Sequence, residues 1–210
     1  MPFRLRDCVS FLGITSHTSF KFLDAGQLVD GEMELITPSS RWIDAVMTAC
    51  NHPLTLERSP ALAETSRRQI LDFLSAFPDG RQNAIAGHAP AYHFWMRVDD
   101  NPALPIAGGI GLRIGNQYDL VMYSGHIGYH VYPPAQGHRY AERACRLLFP
   151  LARQHGLTTL WITCNPDNFA SRRTCERLGG ELVEIVQVPV ENPLYQRGET
   201  EKCRYRIDLG

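Results

Sequence analysis

Gln136-Gly137-His138-Arg139-Tyr140-Ala141 lies between a strand-like run at residues 125–132 and a helix-like run that continues to residue 155. A strand, a tight glycine-containing turn and a helix start are the parts of an anion cradle. The first N–H groups of a helix have no intrahelical partner, and its aligned dipoles favour negative charge there. The stretch is a candidate phosphate site, and its surroundings must say whose phosphate.

Outward from it, helical and extended patterns follow one another. Met33–Ile36 alternates apolar and polar residues, as a half-buried strand does. Residues 41–50 carry Trp42, Ile43, Val46 and Met47 at helical spacing, after Ser39 or Ser40 as cap. One helix is expected over residues 61–77, closed by Pro78-Asp79-Gly80. Residues 92–98, 106–114 and 125–132 read as strands. The helix after the cradle keeps Ala144, Leu147, Leu148, Leu151 and Ala152 on one face, with a kink expected at Pro150. Residues 159–164 read as a buried central strand and 169–178 as a short helix. Residues 181–188 and 202–209 read as closing strands around an irregular segment at 189–201.

The bounds agree with one domain. The chain has 210 residues, of which 44% are hydrophobic, enough for a single large core. A formal net charge of -1 argues against a general nucleic-acid binder. The six cysteines are scattered without a Cys-x-x-Cys pair, which suits a reduced, cytoplasmic protein. Histidines and cysteines suggest no metal site, and no apolar run is long enough to span a bilayer. Residues 1–27 read as a loosely held extension with a weak echo of an export signal, and 28–210 as the domain.

Several stretches together resemble the GNAT superfamily of N-acetyltransferases. They are Gly125-His126-Ile127-Gly128-Tyr129, the loop from Gln136 to Ala141 set against Arg/Gln-x-x-Gly-x-Gly/Ala, Leu160 through Asn168, Ala170-Ser171-Arg172-Arg173 and Leu178-Gly179-Gly180. Their order and gaps are more specific than any one of them. The resemblance implies an α/β (α+β) fold: a mixed, largely antiparallel sheet flanked by helices, its fourth and fifth strands splayed apart. It implies acetyl-CoA between those strands, at residues 126–132 and 159–164. The pantetheine arm would pair with the backbone of Tyr129, His130 and Val131. The loop and helix start at Gln136, Gly137, His138, Arg139, Tyr140, Ala141 and Glu142 would hold the pyrophosphate. Asn168, Ser171 and Arg172 would line the other side, with Arg172 able to reach a phosphate.

For catalysis, the resemblance places the Val131 amide at the thioester carbonyl. His126 and His130 are the nearest groups that could serve as a base. They share one strand face, opposite Ile127, Tyr129 and Val131, although a histidine there is more often structural. Cys175 stands where many members carry a proton-donating tyrosine, and a packing role suits a cysteine better. Arg139 stands where the family has glycine. Either Gly137 carries the special backbone conformation, or position 139 is already helical and tolerates any residue; the second is expected.

The implied activity is acetyl transfer from acetyl-CoA to a primary amine of a small molecule or peptide, directly within a ternary complex. No metal, nucleic acid or membrane is implied, and a homodimer is compatible. The alternative is a GNAT-like module that binds CoA without transferring acetyl.

Overall fold

The computed structural model describes residues 20–84 and 88–210. The stretch weighed as an export signal lies outside them. The chain forms β1 (Val29–Asp30), β2 (Met33–Ile36), α1 (Ile43–Cys50), α2 (Pro53–Arg58), α3 (Pro60–Ala63), α4 (Arg67–Ala76), β3 (Arg81–Gln82), β4 (Ala91–Val98) and β5 (Ile106–Arg113). After a π-helical turn at Leu120–Ser124 come β6 (Ile127–Val131), α5 (Tyr140–Gln154), β7 (Thr159–Cys164), α6 (Phe169–Arg177), β8 (Glu181–Gln187), α7 (Pro193–Gln196) and β9 (Glu201–Asp208).

Two antiparallel sheets result. The larger runs β1-β2-β4-β5-β6, with β3 also on β4; the smaller runs β7-β9-β8. The β6–α5–β7 crossover sets β6 beside β7, yet no ladder joins them. The expected splayed pair is therefore β6 and β7, and the gap between them divides the two sheets.

Burial follows the expected periods. β2 buries Met33 and Leu35 and leaves Glu34 and Ile36 half-buried. β4 and β5 are buried on both faces because helices cover each side. α1 buries Ile43, Val46, Ala49 and Cys50, and α5 buries Tyr140, Ala144, Cys145, Leu148, Leu151 and Ala152. α5 continues through the exposed Pro150 to Gln154.

Three expectations are corrected. The single helix over residues 61–77 is two, α3 and α4. Ser66 accepts from the Gln69 N–H, and the Gln69 side chain takes the Ser66 N–H; this capping box starts a fresh helix at Arg67. β7 is not central: it faces the gap, so it alternates, with Leu160, Ile162 and Cys164 buried and Trp161 and Thr163 half-buried. Residues 20–27, assigned to the loose extension, lie on the core. Phe20, Phe22, Leu23 and Ala25 pack against it, and the Leu23 N–H donates to the Tyr92 hydroxyl at 2.7 Å. Phe20 also stacks on His155, with ring centroids 5.3 Å apart.

Candidate active site

The gap between β6 and β7 has a chemical character set by register. Tyr132 donates its N–H to Ala107 O at 2.8 Å, and Arg113 donates to His126 O at 2.7 Å. With Gly109 opposite His130 and Gly108 opposite Val131, hydrogen-bonded pairs fall at the even-numbered β6 residues. Tyr129 and Val131 therefore direct their N–H and C=O groups away from β5, into the gap. The Val131 carbonyl takes the Gln136 side-chain amide at 3.3 Å.

Glycines hold β6 against β5. A Cβ on Gly108 would lie 2.1 Å from the His130 carbonyl oxygen, and one on Gly109 would lie 2.9 Å from the His130 ring. The Gly108-Gly109-x-Gly111 pattern inside a strand was the available signal of close backbone approach.

The candidate anion cradle follows β6. A 3-10 turn at Pro133–Ala135 leads into Gly137 at φ +97 and Arg139 at φ 57, ψ 25, and α5 begins at Tyr140. Position 139 is thus left-handed, not helical as expected, and Gly137 has a positive φ too. Arg139 gives α5 no side-chain cap, so the N–H groups of Tyr140, Ala141 and Glu142 remain for an anion. His138 stacks on Tyr140 with centroids 5.2 Å apart, and Glu142 pairs with Arg146 at 3.2 Å.

Residues 37–181, more than two thirds of the chain, match the family model described as an acetyltransferase (GNAT) domain. The chain belongs to the GNAT acetyltransferase family. It is an acyltransferase by that membership, and the split between β6 and β7 is its candidate active site. No curated protein matches the chain. Solved structures share the fold. The microcin C7 self-immunity acetyltransferase MccE, solved with acetyl-CoA and AMP, is 18% identical; 85% of this chain and 93% of that one are covered at TM-score 0.61. RimL, the ribosomal L7/L12 alpha-N-protein acetyltransferase solved with coenzyme A, is 17% identical over 87% of this chain and 98% of its own, at TM-score 0.60. A GNAT-family acetyltransferase from Bacillus anthracis is 15% identical over 87% and 98%, at TM-score 0.58.

Within the GNAT site, His126 and His130 have separate fates. His126 is fully buried, and both its ring nitrogens are engaged, with the Trp161 N–H and with Gly115 O. It has no lone pair to offer and leaves the list of bases. His130 packs edge-on to Tyr132 at 5.2 Å, and its Nδ1 is buried with no partner. Burial lowers its pKa to about 4, so the ring is neutral and its Nδ1 can accept.

Cys175 is a packing residue. It is fully buried on α6 against Cys164, and that contact together with burial pushes its thiol far above the ordinary value. Tyr129 and Ser171 share a 2.9 Å hydrogen bond from β6 to α6. Asn168 uses its side-chain oxygen to cap α6 at the Ser171 N–H, 3.1 Å away. Arg172 donates to Tyr205 and to Pro166 O at 3.3 and 3.2 Å, so it braces the turn before α6 instead of projecting freely toward a phosphate. The π-helical turn and Thr163 went unread in the sequence; Thr163 donates to Tyr123 O at 2.8 Å and ties that turn to β7. Among the described residues, no cluster of His, Cys, Asp and Glu is placed to hold a metal, and no helix is long and apolar enough to cross a membrane.

The buried histidines give the fold a pH dependence. Burial lowers His93 to about 3 and His130 to about 4. Both take up protons near 6.5 once unfolded. Stability is therefore full above about pH 6.5 and falls as pH drops toward the folded values, because the unfolded chain binds more protons. Glu32, held well below its usual value by Arg143, adds a loss in the same direction below 4.5. Thermal melts from pH 7.5 to 4 should show Tm declining from about pH 6.5 downward, and less steeply in His130→Ala.

Proposed function

We propose that this chain transfers an acetyl group from acetyl-CoA to a primary amine, by direct attack within a ternary complex. The observation that carries the reading is the pair of outward-turned β6 residues, Tyr129 and Val131, running straight into an uncapped helix start. A thioester with a pantetheine arm and a pyrophosphate matches that row: amide-bearing arm beside strand backbone, phosphates on α5. The acceptor in RimL's name, the alpha-amine of a ribosomal protein, is compatible with a peptide N-terminus here, and a small-molecule amine is the other acceptor weighed.

In this mechanism the Val131 N–H polarises the thioester carbonyl and stabilises the charge that develops on its oxygen. His130, neutral and unpartnered at Nδ1, is the remaining histidine for orienting the amine, a role that requires the amine to enter the side of β6 where that nitrogen is buried. The Tyr129–Ser171 pair sits where the departing thiolate needs a proton; burial keeps the Tyr129 phenol protonated. Cys175 has no part in the chemistry. Cys175→Ala should keep turnover within about twofold, whereas Tyr129→Phe should lose about tenfold or more in kcat.

Acetyl-CoA-dependent thiol release across a panel of amines and short peptides tests the whole reading. Release with at least one acceptor supports it. Tight binding with no release would support the CoA-binding module instead, and no binding would remove both.

The loop adds a separate expectation. Arg139 is held in a left-handed conformation that a glycine would adopt freely, at a cost of about 1 kcal/mol. Arg139→Gly should raise Tm by about 2–4 °C. It should also weaken acetyl-CoA by about tenfold, because the guanidinium beside the helix start is lost. Thermal shift and calorimetry on the same variant measure the two opposed effects.

A further inference from the structure

The mouth of the gap is decided at its closed end, and there one side chain replaces strand pairing. His126 donates its backbone N–H to Trp161 O at 2.6 Å. Trp161 returns its N–H not to a β6 carbonyl but to the His126 ring, at Nδ1, 2.9 Å away. The other ring nitrogen, Nε2, lies 2.8 Å from Gly115 O. Since Nδ1 accepts an N–H, it carries no proton, and Nε2 must donate to that carbonyl. Gly125, at φ +71, lets the chains meet at this point: a Cβ there would stand 2.9 Å from Trp161 O and 3.0 Å from Thr163 N. Arg113 anchors the same turn through Gly125 O at 3.1 Å. Beyond this contact no ladder joins β6 and β7.

We infer that His126 is a positioning residue that holds β6 and β7 apart, by giving the Trp161 N–H a side-chain acceptor in place of a β6 carbonyl. A backbone acceptor would let the ladder continue by further steps and draw Tyr129 and Val131 toward β7. The imidazole ends the pairing after one backbone bond, and its own burial and link to Gly115 fix it there. An N–H at this depth must find an acceptor. If the ring is removed, the Trp161 N–H must take a backbone carbonyl of the facing chain, and recruiting one shifts β6 toward β7 and narrows the acetyl-CoA slot. This inference rests on the proposed use of the gap for acetyl-CoA.

Two substitutions separate the ring's two bonds. In His126→Asn the amide oxygen falls near the place of Nδ1 and keeps the Trp161 bond, while the link to Gly115 is lost. In His126→Gln the terminal amide falls near Nε2 and keeps Gly115, while the Trp161 N–H loses its acceptor. Calorimetry with acetyl-CoA should give His126→Asn a Kd within about threefold of wild type and His126→Gln a Kd weaker by about tenfold, as the open state becomes less populated. A residue that served stability alone would weaken the two equally or neither, and either result overturns the inference. If wild type itself fails to bind acetyl-CoA, the proposed function fails first and takes the inference with it. Should neither variant fold, ring nitrogen shifts of isotope-labelled wild type decide: a neutral ring protonated at Nε2 is required at pH 7, and a ring protonated at Nδ1 overturns the assignment.

Discussion

Val131→Pro is expected to lower kcat by about two to three orders of magnitude while the protein remains folded. The substitution deletes one N–H. Val131 stands opposite Gly108 in a pair that exchanges no ladder bonds, so its N–H is not part of the β5–β6 ladder. Proline is tolerated in a strand where the sheet does not need the donor, and β6 has an unpaired side here. Pro133 and Pro134 follow after Tyr132, so the neighbouring segment already carries fixed φ values. What disappears is the group proposed to face the oxygen where charge develops. Loss of one such donor removes stabilisation that exists only in the transition state, so kcat and kcat/KM should fall together. The check is steady-state thiol release with an amine that wild type acetylates, beside a thermal melt. Wild-type kcat in a folded Val131→Pro protein would take this N–H out of the reaction.

Gly108→Ala is expected to destabilise the protein by about 3 kcal/mol, a fall in Tm of roughly 6–12 °C. The methyl would stand 2.1 Å from the His130 carbonyl oxygen and 3.0 Å from Val131 Cα, and both obstacles are backbone. No rotamer change relieves such a contact, so β6 must move off β5. The strand that moves is the one carrying Tyr129, His130 and Val131, and turnover should fall further than the stability loss alone explains. Gly137→Ala is a useful contrast. No atom lies within 4 Å of its would-be Cβ, and only its positive φ resists substitution. Chemical denaturation of both variants compares contact with conformation: a Gly108→Ala protein as stable as wild type would show that β5 and β6 are not held as closely as described.

Much of this fold was legible in the chain because its periods are clean. β2, β4, β5, β7 and β9 stand where alternation or continuous apolar runs placed them, and α5 follows its apolar face. The break between α3 and α4 was missed although Ser66 and Gln69 spell a capping box, because Ile70, Phe73 and Phe77 continue the apolar rhythm across it. β7 looked central because a run of apolar residues does not say which neighbour is withheld. The withholding is done by His126, whose ring contact with Trp161 is tertiary and leaves no local pattern.

The site was legible to a similar depth. The loop from Gln136 to Ala141 could be located from its glycine and the helix beyond it. The conformation of Arg139 could not, since a left-handed arginine goes against its own propensity and is imposed by the surrounding turn. Cys175, weighed in the sequence both as a proton donor and as a packing residue, is fully buried in the fold. The proton donor proposed in its stead is a tyrosine on the facing strand, whose bond to Ser171 emerges only when β6 and α6 are brought together. His130 and His126 are alike in sequence and differ in the fold because one ring finds two partners while the other's Nδ1 finds none.

The most direct test is amide hydrogen exchange of the wild-type protein with and without saturating acetyl-CoA. Protection should appear in peptides covering Tyr129–Val131 and residues 137–142, where N–H groups point into the gap and at the helix start. The partner strand β9, already paired on both sides, should be unchanged. Protection elsewhere, with Val131 and the start of α5 exchanging as in the free protein, would contradict the placement of acetyl-CoA between β6 and β7.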